Sequence, residues 1–345
     1  MEKFRLGKTN LIISRTGFGG IPIQRISDEE STALLRACYE GGITFYDTAR
    51  GYTTSERKIS MALGDVREKI IIATKTHSQD GNSFNKDLEI SLEQLQSDYI
   101  DIYQFHNPSF IPRPKDENGL YDAALKAKAE GKIRHIGVTA HRLERAKEMV
   151  KTGLFDTMQF PLSSLATDEE VELVNLCKEY DVGFIAMKGM AGGLITSGKA
   201  TFAFLRQFDN VVPIWGMQFM WQAEEFLSYE KNPPVLDDEM WEIIKKDREA
   251  LSGGFCRACG YCLPCPADIN IPMAARMELL LGRTEWQRMT DENGKNMMAK
   301  IKNCTKCGNC INHCPYHLNP PQLLQENLKY FEKFIEEKAG KVCAK

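Results

Sequence analysis

Eight of the eleven cysteines fall in two short runs near the C-terminal end of this 345-residue chain. The first run is CRACGYCLPCP, residues 256–266, and the second is CTKCGNCINHCP, residues 304–315. Three cysteines at two-residue intervals can wrap one face of a cubane, and a fourth cysteine followed by proline supplies the neighbouring cluster. The doubled pattern therefore predicts two [4Fe-4S] clusters.

The same pattern predicts that each run contributes to both clusters. The predicted ligands of the first cluster are Cys256, Cys259, Cys262 and Cys314. The predicted ligands of the second cluster are Cys304, Cys307, Cys310 and Cys265. The first run has two rather than three residues before its last cysteine, which departs slightly from the common form.

Zinc and disulfides are the alternative uses of these cysteines. A zinc site often takes two separated CxxC pairs or a Cys/His mixture, whereas each run here carries its own quartet followed by Pro266 or Pro315. Disulfides suit an oxidising compartment, but the N-terminal MEKFRLGKTN lacks the apolar stretch of a secretory signal. Iron–sulfur clusters are favoured over both, and we expect a cytoplasmic protein. Cys38 and Cys177 lie in apolar helical patterns and are predicted to be core residues.

Composition excludes some classes of partner. The chain has 44 basic and 47 acidic residues, a formal charge of -3, which is not the footprint of a nucleic-acid-binding protein. No apolar run approaches the length of a bilayer span. We therefore expect a small-molecule substrate, with neither nucleic acid nor membrane as a partner.

Across residues 1–230, short apolar runs rich in Ile, Val and Phe alternate with amphipathic stretches of helical length. The eight predicted strands are 15–20, 43–47, 70–75, 99–106, 133–139, 157–160, 183–188 and 211–215. The predicted helices are 28–41, 54–64, 84–97, 119–130, 142–151, 168–181, 199–207 and 219–228. This α/β order predicts a closed (β/α)8 TIM barrel rather than an open doubly wound sheet.

The barrel is predicted to span residues 1–252, opening with a hairpin in FRLGKTNLII and followed by a helix at 237–251. Gly253 and Gly254 are predicted to form the junction to a ferredoxin-like two-cluster domain at 253–345. We expect that domain to be α-helical and to end in a C-terminal helix. The segments MAARMELLLG and NGKNMMAKI have helical spacing of apolar residues, and prolines suit the helix starts.

Four polar residues are predicted to lie at the carboxyl ends of successive barrel strands, where sites form in such barrels. They are Asp47, Tyr52, Lys75 and His106, from the segments FYDTARGYTTSE, ATKTH and YQFHNP. Reduction of a carbonyl needs a proton donor, and Tyr52 is a poor acid unless the Lys75 ammonium stabilises its phenolate. Asp47 would hold that ammonium, and neutral His106 would orient the substrate oxygen. Each residue alone has a structural explanation, but their joint placement favours catalysis.

This order of Asp, Tyr, Lys and His resembles the aldo-keto reductases, and the resemblance covers roughly residues 1–250. A subgroup of that family carries similar iron–sulfur extensions. The resemblance implies an iron–sulfur oxidoreductase that reduces a carbonyl or related small molecule, with Tyr52 as proton donor and NAD(P)H as hydride donor.

The resemblance also implies a nicotinamide across the barrel mouth, contacted by residues after strands five to eight. The matching positions are Thr139, His141, Gln159, Ser163, Lys188, Gly192, Gly193, Gly216 and Gln222. Small residues allow the backbone to approach a pyrophosphate closely. The Gly192–Gly193 pair would equally serve to turn a loop.

The segment after strand eight departs from the family pattern. IWGMQFMWQAEEF, from Ile214 to Phe226, contains no Lys or Arg, whereas the family usually places a cation there for the 2′-phosphate of NADP. That phosphate would be poorly compensated here. NAD(H) is therefore expected in preference to NADP(H), or no nicotinamide at all.

The two halves of the chain differ in electron count, because a hydride carries two electrons and a cubane cluster passes one at a time. Three interpretations of the clusters follow. They are structural or redox-sensing supports of an NAD(P)H-dependent carbonyl reductase, or they carry electrons from a ferredoxin or other one-electron donor to substrate in the barrel. In the third alternative, the chain is an electron-transfer or docking protein without catalysis in the barrel. Two clusters in series favour conduction, because one would suffice as a structural support.

Overall fold

The computed structural model describes residues 1–251, 254–283, 286 and 289–342. Packing divides the chain into two units. The first comprises Met1–Gly189 with Ser197–Ile244, and the second comprises Met190–Thr196 with Lys245–Lys345. Ser252 and Gly253 lie outside the described residues, so the boundary at 252/253 stays a prediction.

The first unit begins with the expected hairpin, in which β1 (Lys3–Arg5) pairs antiparallel with β2 (Ile12–Ser14). Eight further strands then form a closed barrel in the order β10, β3, β4, β5, β6, β7, β8, β9. They are β3 (Gly17–Gly19), β4 (Phe45–Asp47), β5 (Ile71–Thr76), β6 (Ile100–Phe105), β7 (Ile133–Thr139), β8 (Thr157–Pro161), β9 (Gly183–Met187) and β10 (Val211–Trp215). All neighbouring pairs are parallel, which confirms the predicted (β/α)8 barrel.

Helices follow the barrel strands. They are α1 (Asp28–Glu40), α2 (Ser55–Leu63), α3 (Gly81–Leu95), α4 (Leu120–Ala129), α5 (Leu143–Lys151), α6 (Asp168–Glu179), α7 (Gly198–Arg206), α8 (Met220–Lys231) and α9 (Asp238–Ala250). Helix α1 starts with a capping box, in which Ser27 and Glu30 each accept the other's backbone N–H. Helix α3 begins three residues before its predicted start because the Asp80 carboxylate accepts the N–H groups of Asn82 and Ser83.

Side-chain alternation along the strands builds the barrel interior in layers. Phe45, Ala73 and Ile102 belong to one buried apolar cluster with Leu6 and Ile13 from the hairpin region. Residues two positions further along a strand point to the same side. The next interior layer is therefore polar, and it contains Asp47, Lys75 and Gln104, which are all buried.

The described residues of the second unit form helices and turns, as predicted. The helices are α10 (Ile271–Ala274), α11 (Met277–Arg283), α12 (Glu292–Ala299), α13 (Asn309–Asn312) and α14 (Pro320–Val342). Their apolar faces share a core that includes Ile269, Met277, Ile301, Leu324 and Phe331. Within the described parts of the chain, no helix has both the length and the apolar character needed to cross a membrane.

Candidate functional site

Asp47 and Lys75 form a buried ion pair at the carboxyl ends of β4 and β5. Lys75 Nζ lies 2.7 Å from Asp47 Oδ1, and the two residues are 1% and 2% exposed respectively. The other carboxylate oxygen accepts a hydrogen bond from Gln104 Nε2 at 3.4 Å, and Gln159 Nε2 donates to Oδ1 at 3.5 Å. These extra donors are what a buried ion pair requires to offset its desolvation.

Lys75 remains charged in this environment. Burial acts to lower its pKa, but Asp47 and Tyr52 outweigh that effect, and the pKa lies above its ordinary value. Burial raises the pKa of Asp47, while Lys75 acts to lower it. The pair therefore presents a fixed ammonium group at the strand ends.

Tyr52 lies in the loop after β4, with the Lys75 ammonium 5.0 Å from the centroid of its ring. The ring of His106, one residue past β6, meets Tyr52 edge to face at a centroid distance of 6.0 Å. Burial raises the pKa of Tyr52, and Lys75 offsets part of that rise. The expectation that Lys75 would make the phenol more acidic is therefore only partly met, because burial has the larger effect. The phenol keeps its proton at neutral pH, which is the form that can donate it.

His106 stacks on a second imidazole, that of His77, with centroids 3.9 Å apart and planes 16° from parallel. Burial lowers the pKa of both histidines, and Lys75 lowers that of His106 further. Among the described residues, His106 Nδ1 is buried with no hydrogen-bond partner. A neutral imidazole with an available ring nitrogen suits the orientation of a polar substrate group.

The site also contains His77 and Gln104, which were not predicted from the sequence, and Gln159 has an unpredicted role beside Asp47. The signal for the first two was present, because His77 follows Lys75 by two positions and Gln104 precedes His106 by two. Period-two alternation puts such pairs on one side of a strand. Gln159 was predicted to contact a nicotinamide, which stays a prediction, and its amide oxygen accepts a hydrogen bond from Gln104 Nε2 at 2.9 Å.

The other predicted nicotinamide contacts are spread over several strand ends. Thr139 ends β7, His141 lies two residues beyond it, and both are buried. Ser163 lies two residues after β8, and its hydroxyl accepts the N–H of Leu165 at 3.2 Å. Gly216 directly follows β10, where a Cβ would approach Pro22 Cγ to 3.1 Å.

Gln222 has a structural role at the start of α8. Its side-chain oxygen accepts the backbone N–H groups of Gln218 at 2.7 Å and Phe219 at 3.0 Å. In the same segment, Trp215 is buried and stacks on Phe226 with centroids 4.3 Å apart. Trp221 is 59% exposed. The segment's aromatic residues are thus divided between core and surface.

The loop after β9 contains Lys188, Gly192 and Gly193, whose φ angles are 60°, 70° and 91°. The φ angles of Gly192 and Gly193 favour glycine, because a residue with a side chain would be strained in this conformation. Gly192 belongs to the second unit, and its carbonyl accepts Arg276 Nη1 at 3.0 Å. The glycine pair therefore turns a loop, whatever else it contacts.

The eight cysteines of the two runs surround two cavities in the second unit. The thiols that line the first cavity are those of Cys256, Cys259, Cys262 and Cys314. Those that line the second cavity are Cys265, Cys304, Cys307 and Cys310, with Cys262 at the border between the two. Each cavity thus receives thiols from both runs. No group of three or more His, Cys, Asp or Glu in the described part of the chain has the spacing for a single metal ion.

The two runs repeat one backbone conformation. Ala258 and Gly260 in the first run have positive φ, 51° and 84°, and the equivalent Lys306 and Gly308 in the second have 54° and 76°. In the first run, the Ala258 N–H donates to Cys256 Sγ at 3.4 Å. Such turns direct backbone N–H groups and thiols toward the same space, and N–H donors stabilise cluster sulfur. The residues present therefore fit cubane clusters.

The barrel, its polar strand ends and the cysteine-lined cavities define an iron–sulfur oxidoreductase. The model of the Aldo/keto reductase family matches residues 15–209, and the chain belongs to this family. A 4Fe-4S dicluster domain matches residues 255–319.

Named relatives agree with this class. The chain is 30% identical over 215 residues to L-galactose dehydrogenase of Arabidopsis thaliana, a match that covers 57% of this chain and 67% of the relative. It is 28% identical over 261 residues to the NADH-specific methylglyoxal reductase of Escherichia coli, covering 64% and 80% respectively. Among solved structures, an aldo-keto reductase from Klebsiella pneumoniae in complex with NADPH superposes with a TM-score of 0.61 at 20% identity, covering 71% of this chain and 94% of that one. This structural likeness concerns the fold.

Proposed function

We propose that this oxidoreductase reduces a carbonyl or related group of a small molecule in the barrel, with Tyr52 as the proton donor. One observation carries the proposal: a charged Lys75, held by Asp47 at 2.7 Å, lies 5.0 Å from the ring of a protonated Tyr52. A fixed positive charge there stabilises the phenolate that proton transfer leaves behind.

In this proposal, each residue around the carbonyl oxygen has a distinct role. Tyr52 donates its proton to that oxygen as the carbonyl carbon receives a hydride, or receives two electrons together with a second proton from solvent. A C–H bond and an O–H bond form, the C=O double bond becomes the single bond of an alcohol, and the phenol becomes a phenolate. Neutral His106 donates a hydrogen bond that orients the oxygen, and His77 holds the His106 ring by stacking. Asp47 keeps Lys75 in place and charged throughout.

A nicotinamide is the first candidate source of the two electrons, which it supplies together as a hydride when bound. We propose NAD(H) rather than NADP(H), because the segment from Ile214 to Phe226 contains no Lys or Arg to compensate a 2′-phosphate. One relative bears the name of an NADH-specific reductase, which supports this preference. The proposed contacts are the strand-end residues Thr139, His141, Ser163, Lys188 and Gly216.

Iron–sulfur clusters are the second candidate source. We propose that each cavity-lining quartet holds one [4Fe-4S] cluster, which supplies single electrons when bound. In this second proposal, a ferredoxin or similar one-electron donor reduces the clusters, and no nicotinamide is needed. Three predicted nicotinamide contacts already have partners in the protein, which supports this candidate. Gln159 bonds Asp47 and Gln104, Gln222 caps α8, and the Gly192 carbonyl accepts Arg276.

Steady-state turnover with NADH, NADPH and reduced methyl viologen, each with a panel of small aldehydes and ketones, separates these sources. The variant Cys310→Ala breaks one proposed cluster, and Cys38→Ala is its matched control because Cys38 is a buried thiol of the first unit that lines neither cavity. If NADH-dependent activity survives in Cys310→Ala, the clusters have a supporting role only. If viologen-dependent activity is lost in Cys310→Ala but kept in Cys38→Ala, the clusters conduct electrons to the substrate. Strong NADPH preference would refute the interpretation of the 214–226 segment.

A docking protein without catalysis in the barrel predicts a different result. It predicts no turnover with any of the three reductants, in protein whose clusters still accept electrons from the viologen. That outcome would overturn the proposed reaction.

A further inference from the structure

Arg276 is a buried cation in the second unit, 4% exposed, between α10 and α11. Among the described residues, the polar contacts of its guanidinium are two carbonyls and a thioether, with no carboxylate. Nε donates to the carbonyl of Pro272 at 2.9 Å, Nη1 donates to that of Gly192 at 3.0 Å, and Nη2 lies 3.9 Å from Met273 Sδ. Burying a guanidinium without a carboxylate is costly, so another negative group is expected nearby.

The cysteines that line the first cavity are the candidate source of that negative charge. Arg276 directly follows Ala275, which lines this cavity together with Cys256. Gly192 is close to both the guanidinium and the first cysteine run, since a Cβ there would be 2.9 Å from Nη1 and 4.0 Å from Ala258 Cβ. Ala258 in turn donates its N–H to Cys256 Sγ at 3.4 Å. Burial lowers the pKa of Arg276, and the neighbouring Cys256 acts in the opposite direction.

The second cavity has no matching cation among the described residues. The lysine in its lining is Lys306, whose side chain is exposed to solvent. Water screens an exposed charge strongly, whereas a buried charge acts through a lower dielectric. The two cavities therefore differ in electrostatic environment although their cysteine runs share one backbone conformation.

We propose that Arg276 is the fixed counter-charge of the first cluster, so that this cluster accepts an electron more readily than the second. The inference rests on the proposed cluster sites. A buried positive charge stabilises the additional negative charge when a one-electron donor reduces the cluster. An electron entering the second unit then resides preferentially on the cluster of Cys256, Cys259, Cys262 and Cys314, whichever cluster receives it first.

Redox titrations followed by electron paramagnetic resonance test this assignment on the full-length protein. Arg276→Gln removes the charge and keeps a hydrogen-bond donor, Arg276→Lys keeps the charge, and Lys302→Met is a control at an exposed cation paired with Glu332. We expect Arg276→Gln to weaken electron binding by one cluster at least tenfold, or about 59 mV for one electron, and to leave the other unchanged. Arg276→Lys should retain most of the wild-type value, and Lys302→Met all of it. Equal shifts in both clusters, or none in either, would overturn the proposal.

A second measurement does not depend on the folding of an Arg276 variant. Cys310→Ala removes the second cluster, and the cluster that remains should titrate at the higher of the two wild-type potentials. Retention of the lower potential contradicts the inference. Iron and sulfide analysis of the same samples distinguishes the two levels of failure. If both clusters are present but the second has the higher reduction potential, only the role of Arg276 is refuted. If the clusters are absent, the cluster sites themselves are refuted.

Discussion

The imidazole rings of His77 and His106 stack at 3.9 Å because the strands that precede them are in register. Lys75 of β5 pairs with Gln104 of β6, and each histidine lies two positions further along its own chain segment. Stacked rings this close disfavour a charge on either, and burial lowers the pKa of both. The register of two parallel strands thus places two buried imidazoles in contact, and burial has the largest effect on the pKa of each.

The first prediction concerns the pKa of His106. Because burial and then Lys75 lower it, we expect His106 to stay neutral below pH 6.5, the ordinary value. In Lys75→Met the neighbouring cation is absent, so the pKa of His106 should rise. Histidine-selective NMR titration of both proteins measures this, with His106→Gln identifying the resonance. An identical His106 titration in wild type and Lys75→Met would refute the electrostatic coupling.

The second prediction concerns Tyr52. Tyr52→Phe removes the proton donor and should lower turnover ~10²-fold or more, with cofactor affinity nearly unchanged, because only a transition-state proton transfer is lost. Tyr99→Phe is a matched control. Tyr99 precedes β6, and its ring contacts the guanidinium carbons of Arg67 and Arg134 at 4.2 and 3.7 Å, contacts that phenylalanine retains. Equal activities of the two variants would remove Tyr52 from the mechanism.

The third prediction separates the structural role of the buried ion pair from its catalytic role. Lys75→Met leaves the Asp47 carboxylate buried without its cation, which should destabilise the barrel by about 3–5 kcal/mol. Adding Asp47→Asn removes the uncompensated charge, so the double variant should recover part of that stability without recovering activity. Denaturant unfolding and turnover of both singles and the double measure the coupling. Simple additivity of the two stability losses is the contrary result.

The fourth prediction concerns metal content. Anaerobically prepared protein should hold about eight iron and eight sulfide per chain, as two cubane clusters require. Cys310→Ala should lose about half of each, while Cys38→Ala, which alters a buried core thiol, should keep both. Colorimetric iron and sulfide analysis together with zinc determination checks this. About two zinc and no sulfide per chain would support the alternative metal.

Local features of the sequence were sufficient for the architecture. Strand and helix positions depend on short apolar runs and helical periodicity, and both are properties of neighbouring residues. The missed start of α3 is a local effect too, since it depends on the cap that Asp80 provides. The proximity of Asp47, Tyr52, Lys75 and His106 could be predicted from their places at strand ends, because a closed parallel barrel gathers those ends at one edge.

Sequence alone determined the barrel, the helical character of the second unit and the eight cysteines that line its cavities, because spacing along the chain encodes each of them. Only the tertiary structure revealed the His77–His106 stack, the amide hydrogen bonds to Asp47 and the buried position of Arg276. It also decided that burial outweighs Lys75 in setting the pKa of Tyr52. These features depend on contacts between residues far apart in sequence and on their exclusion from water. Spacing along the chain indicates which side chains share one side of a strand, but contact distances and burial arise only when each unit has folded and packed its own core.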